Sequence, residues 1–491
     1  MILWFVVLYL LISVAIGLYA ATRVHDTKDF AVAGRRLPLP IVTATVFATW
    51  FGAETVFGIS ATFVKEGLHG VVADPFGSSL CLILAGLFFA RRLYRMNLLT
   101  IGDYYRLRYN RSVEVLCTLC IVASYLGWVS AQIKALGLVF NVVSDGTMNQ
   151  TVGMVVGAAI VLTYTTFGGM FSVAILDFLQ ITVIMGGMLY IASVISSLAG
   201  GVSAVVGHAA TSGKLDFFPS AHVTAWIPFI GAWMTMMLGS IPQQDVFQRI
   251  TSAKDEQTAV RGSVLGGSLY FMFAFVPMFL AYSATLVDPG MFNELLARDS
   301  QLVLPTLILQ HTPILAQIVF FGAVLSAIMS CSSATLLAPS VAFSENIIKG
   351  LVPHMSDRVF LRTMRTVLVC FAVVVLGFAV NSDASIFKMV ENAYKVTLVA
   401  AFIPLFAGLY WTRANTQGAL FAIAAGLTTW ISLELLVPQP TVWPPQLVGF
   451  LIAAAGMVMG SLLPLWIGSG APSHPPSPVP LPRPHSTSHH H

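Results

Sequence analysis

About thirteen stretches of this chain are apolar over roughly the 20 residues that a helix needs to cross a bilayer core. They fall near residues 2–21, 41–63, 71–90, 113–143, 151–164, 171–198, 225–241, 264–286, 314–339, 367–380, 388–411, 419–437 and 447–467. In lipid every backbone N–H and C=O must find a partner within the protein, so such runs fold as helices. Composition agrees with this reading. Of 491 residues, 57% are apolar and 9% charged, whereas a soluble domain carries about a quarter of its residues as charges. An ordinary soluble enzyme, a nucleic-acid binder and a disordered chain are thereby excluded. The chain reads as an all-α, polytopic membrane protein.

Basic residues cluster in alternate loops. Arg23, Lys28, Arg35 and Arg36 follow the first span, and Arg91, Arg92, Arg95, Arg106, Arg108 and Arg111 follow the third. Arg249, Lys254, Arg261, Arg358, Arg362, Arg365 and Arg413 continue the series, while the loops at 144–150 and 199–224 are nearly devoid of Lys and Arg. The positive-inside rule then puts the N-terminus outside the plasma (inner) membrane and the C-terminus in the cytoplasm. No basic residue precedes the first apolar run, so it reads as a span and not as a cleaved leader. The Pro- and Ser-rich segment from Gly470 to His491 is expected to be an unpacked tail, and its terminal histidines are assigned no metal.

Function in such a chain lies where helices are broken or carry polar groups. The second span holds Glu54 between Gly52 and Gly58. The glycines either unwind the helix or only permit close packing; with the acidic residue between them, a break is the expectation. The seventh span ends in Pro242-Gln243-Gln244-Asp245. This second break lies five spans on and has opposite polarity, which suggests two inverted five-helix repeats with a midplane site. The ninth span carries Ser326, Ser330, Ser332, Ser333 and Thr335, and the sixth carries Asp177. Hydroxyls in membrane helices commonly bond their own backbone, but beside freed carbonyls they can complete a site for Na⁺, which prefers oxygen. A carboxylate such as Asp177 is costly in the membrane unless it is paired or hydrated, and a cation path is its natural explanation.

Other features have plain readings. Cys117 and Cys120 form a CxxC inside an apolar helix and are expected to be inert. His69, His208, His222 and His311 lack metal-ligand partners at useful spacing. Lys388, Glu391 and Lys395 share one helix face as a paired stripe. No phosphate-cradling loop is present, which disfavours ATP-driven transport.

The run Tyr164-Thr-Thr-Phe-Gly-Gly-Met-Phe-Ser172, followed by Asp177 and Gln180, resembles the signature of the sodium:solute symporter family. Ser326-Ala-Ile-Met-Ser330 and Pro242-Gln243…Gln248-Arg249 resemble further family segments. Within the family the look is that of the high-affinity choline transporter branch, through Ala48-Thr-Trp-Phe-Gly52, 79–90, 241–249, Trp128 and Ala135-Leu-Gly137. The resemblance implies the inverted-repeat fold of the leucine transporter. It divides the chain into an extra helix and loop (1–38), a first repeat (39–198), an extracellular loop (199–224), a second repeat (225–411), accessory helices (412–469) and the tail (470–491).

The resemblance also implies a sodium site of Ala48, Phe51 and Ala327 carbonyls with the Ser330 hydroxyl. Cys331 stands where the family has another hydroxyl. Asp177, Ser330 and Ser333 match a second ion site, but Ala334 lacks its remaining hydroxyl, so one Na⁺ is expected. For the solute, Trp50 and Trp128 match positions of an aromatic cage, while Ser78 and Gln243 replace aromatics. Gln132, one turn beyond Trp128, is expected to face the same cavity, and Lys134 another face. Asp245 either joins an inner gate or pairs with Arg249 at i+4.

The expected function is Na⁺-coupled symport of a small organic solute, an amine or a zwitterionic amino acid, with no covalent chemistry. Glu54 either pairs with a substrate ammonium or exchanges protons, which makes H⁺ coupling the rival. A non-transporting solute sensor is the rival from another class.

Overall fold

A computed structural model describes residues 2–438, 441–464 and 466. The tail expected from residue 470 lies outside the described residues. Among the described residues helices dominate, and the one strand-like feature is an isolated bridge between Leu37 and Ala253. The long helices are α1 (Ile2–Ala21), α2 (Leu39–Trp50), α3 (Glu54–Glu66), α4 (Leu68–Arg95), α5 (Arg111–Val143), α6 (Gln150–Leu198) and α7 (Val223–Gly239). They continue as α8 (Gln244–Ser252), α9 (Glu256–Val287), α10 (Ile314–Leu351), α11 (Asp357–Asn381), α12 (Ile386–Tyr410), α13 (Thr416–Leu436) and α14 (Pro445–Leu462).

Several starts are written in the sequence as N-caps. Asn110, Asn149, Asp255 and Asn415 each accept a hydrogen bond from the backbone N–H three residues on, at 2.8 to 3.0 Å. Each thereby satisfies a donor that the first helical turn cannot. Thr100 and Asp103 do so reciprocally as a capping box.

The described residues contain 10 helices long and apolar enough to span, or up to 12 if the pairs α2–α3 and α7–α8 each count as one span. The expected count of about thirteen is reached only by also dividing α6. Its 49 residues would extend about 74 Å as one straight helix, more than two bilayer cores. Gly169 breaks it with φ 50 and ψ −138, a conformation open to glycine and strained for other residues. A Cβ there would also fall on the Phe30 carbonyl. The expected spans at 151–164 and 171–198 are the two limbs of this bent helix.

α10 is the buried axis and packs against α5 and α6; α1 lies on α6, α12 on α5, and α9 on α2. The outer face of α1 leaves Trp4, Leu11 and Tyr19 exposed, as a lipid-facing helix does. At the end of α8 the chain is latched to the segment that precedes α2. The Leu37 N–H donates to the Ser252 carbonyl at 3.0 Å and the Lys254 N–H to the Leu37 carbonyl at 2.9 Å. Gln248 Nε2 adds a bond to the Ala31 carbonyl at 3.0 Å.

Gly169→Ala is expected to lower the unfolding temperature of the purified protein, at a cost of about 1–3 kcal/mol for backbone strain. Gly186→Ala, whose Cβ meets nothing within 4 Å, should leave that temperature unchanged or slightly raised.

Candidate functional site

The second span is interrupted where Gly52 and Glu54 predict it. α2 stops at Trp50, α3 starts at Glu54, and the two axes bend by 51°. Phe51 leaves the helix with φ −87 and ψ 77. Its N–H still reaches the Phe47 carbonyl at 2.9 Å, but the next carbonyl, that of Ala48, accepts instead from Ser330 Oγ at 3.1 Å. The Ala53 N–H turns to Gln132 Oε1 at 2.9 Å. The two glycines divide the two readings between them. Gly52 lies in the break, and an added Cβ would sit 2.7 Å from Glu54 Oε2 and 2.8 Å from Cys331 Sγ. Gly58 is helical and serves packing, with its Cβ position 3.2 Å from the Phe387 backbone nitrogen. The second break follows Pro242, where α7 and α8 bend by 44°.

One side of the first break is rich in hard oxygen. Ser330 Oγ shares its one proton between Asp177 Oδ1 at 2.5 Å and the Ala48 carbonyl at 3.1 Å, and Thr45 Oγ1 donates to Asp177 Oδ2 at 2.5 Å. The expected main and second ion sites therefore meet at one hydroxyl. The other ninth-span hydroxyls mostly bond their own helix, as hydroxyls in membrane helices commonly do. Ser332 reaches the Ile328 carbonyl at 2.6 Å, Ser333 that of Ser330 at 3.0 Å, and Thr335 that of Cys331 at 2.7 Å. Ser326 bonds the Gly322 carbonyl at 2.8 Å and also meets Tyr9. Ala327 is fully buried on the same helix.

The other side is aromatic and acidic. The rings of Trp50 and Trp128 lie 5.3 Å apart, and Tyr394 of α12 stacks on Trp50 at 5.8 Å and meets Trp128 at 5.5 Å. Tyr125 stacks on the far face of this group, 5.9 Å from Trp128. Trp128 Nε1 donates to Glu54 Oε1 at 3.2 Å, and Gln132 Nε2 donates to Glu54 Oε2. Cys331 Sγ lies 3.8 Å from Glu54 Oε1, so this thiol faces the acidic side.

Ser78 does not join the aromatic group; it donates to Asp74, which also accepts from Tyr270 at 2.6 Å. Tyr270 in turn meets Thr55 of α3 at 3.1 Å. Gln243 Nε2 donates to Ser124 at 2.9 Å and to Thr397 at 3.3 Å. Every one of Trp50, Glu54, Trp128, Gln132, Asp177, Gln243, Asp245 and Ser330 is buried to 2% exposure or less. A separate cavity of about 390 Å³ lies where α3 ends, lined by Lys65, Glu66, Arg298 and Lys388 among others.

The reading of Arg249 as a loop charge is corrected here. It is 2% exposed, on an α8 whose nine residues are all buried. Nor do Asp245 and Arg249 pair through the carboxylate. Arg249 Nη1 donates to the Asp245 main-chain carbonyl at 3.2 Å, and the carboxylate takes the Tyr125 hydroxyl. The stripe on α12 is also only partly paired: Lys388 bonds Glu391 at 2.7 Å, but Lys395 reaches Glu434 of α13 at 3.5 Å. Lys134 is held by the carbonyls of Ser382 and Ala384, at 2.8 and 2.9 Å. Cys117 and Cys120 are free thiols. Among the described residues no group of three His, Cys, Asp or Glu could hold a metal ion.

Sequence reasoning missed Asp74, Tyr394, Tyr125 and the burial of Arg249. Asp74 had a signal, an acid directly before Pro75 within an apolar run. Tyr394 had none.

A family model described as the sodium:solute symporter family matches residues 30–426. The chain belongs to the sodium:solute symporter family. Among similar proteins, the high-affinity choline transporter 1 of Caenorhabditis elegans is 26% identical over 473 residues, covering 90% of this chain and 78% of that protein. The osmoregulated proline transporter of Bacillus subtilis is 26% identical over 459 residues, covering 87% and 88%. A solved Na⁺-coupled sialic acid symporter, in a substrate-bound outward-open state, superimposes with a TM-score of 0.81 at 18% identity, covering 94% of this chain and 97% of that one. That symporter's fold is therefore present along nearly the whole chain, including the two broken helices.

Glu54 depends on its two nitrogen donors, Trp128 and Gln132. In this family member Trp128→Phe and Gln132→Leu should each destabilise the protein by about 1–3 kcal/mol, because each strips a bond from a buried acceptor. In an E54L background the same changes should cost less, a coupling read as non-additive unfolding temperatures in detergent.

Proposed function

We propose that this chain is a secondary transporter of the plasma membrane that carries a small, choline-like organic cation together with one Na⁺ by alternating access. The observation that carries the reading is the double contact of Ser330, which ties the freed Ala48 carbonyl to the Asp177 carboxylate. Na⁺ favours such oxygen donors. In this reading the Ala48, Phe51 and Ala327 carbonyls and Ser330 hold the ion. Asp177 supplies the oxygen that Cys331 does not, and Ser333 stays bonded to its own helix. The N-terminus lies outside and the C-terminus inside, following the basic loops.

The solute lies on the other side of the break, against Trp50, Trp128 and Tyr394, with Glu54 as its counter-charge and Gln132 and Gln243 at its rim. Ser78 serves indirectly, by holding Asp74. Among the described residues, no ion pair or cation–π contact brings a Lys or Arg to Trp50, Glu54, Trp128 or Tyr394. Lys134 is engaged elsewhere. A solute carboxylate would thus lack a cationic partner, whereas an ammonium gains both Glu54 and cation–π attraction of about 0.5–2 kcal/mol. That favours an amine over a zwitterion. The choline-transporter relatives point the same way. Closure around ion and solute, followed by opening along α8 past Asp245, completes the cycle.

Proteoliposomes given choline and its stepwise demethylated analogues should accumulate at least one of them under an inward Na⁺ gradient. Uptake driven by a proton gradient and indifferent to sodium would favour proton exchange at Glu54 instead, and binding without uptake would favour a sensor. Ser330→Ala should raise the half-saturating Na⁺ concentration several-fold by removing an oxygen donor. The Cys331 side chain faces Glu54, so Cys331→Ser should leave that concentration nearly unchanged; a several-fold fall in Cys331→Ser would put residue 331 in the ion site.

A further inference from the structure

Unsatisfied polar atoms concentrate in one segment of the fold. Ser240 Oγ, Gln244 Nε2, Asp245 Oδ2, Gln248 Oε1, Arg249 Nε and Nη2, and Ser252 Oγ are all buried without a hydrogen-bond partner in the protein. Arg249 stands out among them. It is a fully ionised side chain, 2% exposed, whose described hydrogen bond goes to a neutral main-chain carbonyl. No carboxylate oxygen of a described residue comes within ion-pair distance of it, although Asp177 and Asp245 both lie within its electrostatic reach. Asp245 keeps one oxygen unpartnered, and Asp177 accepts only from neutral hydroxyls.

A buried guanidinium within electrostatic reach of two carboxylates, hydrogen-bonded to neither carboxylate, is poorly placed as a static strut. A permanent ion pair would satisfy its donors, and leaving a buried charge without a counter-charge is costly. The arrangement suits a charge that changes partner. Asp177 sits at the ion site, so with Na⁺ present its charge is balanced and Arg249 is free to serve Asp245. With Na⁺ gone, a bare carboxylate would remain in a closed membrane core at a cost of several kcal/mol.

We infer that Arg249 is a tethered counter-ion that replaces Na⁺ at Asp177 when the carrier is empty and so permits the empty carrier to reorient. This rests on the sodium site proposed above. The long, flexible arginine stem gives the reach, and α8 begins at the second break. The role is one of positioning charge; Arg249 touches neither solute nor, in the loaded state, the ion.

The test separates two transport modes in proteoliposomes. Net uptake into solute-free vesicles requires the empty carrier to return, whereas exchange, with Na⁺ and solute on both sides, does not. Arg249→Gln is expected to lower net uptake by ~10-fold or more while exchange stays within about 2-fold of the unchanged protein. Arg249→Lys, which keeps the charge on a shorter stem, should recover part of the net uptake. If Arg249→Gln does not fold, the same ratio is read in Arg249→Lys, where net uptake should fall several-fold more than exchange. Equal loss of both modes, or retention of both, overturns the proposal. Sodium-independent uptake by the unsubstituted protein would defeat the parent reading instead, and is distinguished by being seen without any substitution.

Discussion

The fold is organised around one backbone interruption. A membrane helix hides its carbonyls in its own ladder, and opening that ladder in lipid leaves acceptors that cost several kcal/mol unless something else satisfies them. At Phe51–Ala53 the ladder opens, and the released groups are taken up from other helices: the Ala48 carbonyl by Ser330 of α10, and the Ala53 N–H by Gln132 of α5. The break is thereby tied to α10, the buried axis, and to α5, which packs on it. It cannot move without moving contacts on both.

What could be read in the sequence follows from how each feature is encoded. Gly52, Gly58 and Glu54 inside an apolar run, and Pro242 with its polar followers, are local violations of a helix pattern and therefore visible in one dimension. The same holds for Asp177. Tyr394 was invisible because an aromatic at helical spacing is ordinary in a membrane helix, and only the approach of α12 brings it against both Trp50 and Trp128. Arg249 was misread for a related reason. A basic residue a few positions beyond a span is usually a loop charge, but the bend after Gln243 folds the next nine residues back into the core. Where a chain turns after a proline is a tertiary fact. Asp74 is intermediate, since its place before Pro75 marks it but nothing local says that Tyr270 and Ser78 will bind it.

The buried acids give the core its electrical character. Glu54, Asp74, Asp177 and Asp245 are all within 1% exposure, and Arg249 is the basic side chain placed among them. Their neighbours are mainly neutral donors: Trp128 and Gln132 for Glu54, Ser78 and Tyr270 for Asp74, Ser330 and Thr45 for Asp177, Tyr125 for Asp245. Neutral donors stabilise a carboxylate without cancelling its charge, so an uncompensated field persists in a region of low dielectric. In the proposed reading, such a field would favour cations over anions by sign before any contact is made. It also makes the closed state sensitive to whether cations are aboard, because closure removes the water that would otherwise screen the acids.

In the proposed reading, coupling between ion and solute has a short physical route. Ser330 and Cys331 are neighbours on α10, one facing Ala48 and Asp177 and the other facing Glu54. Phe51, Gly52 and Ala53 connect the same two sides along the chain, with an added Gly52 Cβ already too close to both Cys331 and Glu54. A cation that pulled the Ala48 and Phe51 carbonyls into its shell would set the backbone that carries Glu54, and a solute drawn to Glu54 would set the same backbone in return. Linkage requires the effect to be equal in both directions. The shared wall is one residue thick, so no relay through distant elements is needed. If ion and solute bind as proposed, the tightness of the break, more than any single ligand, would let the occupancy of one site decide the affinity of the other.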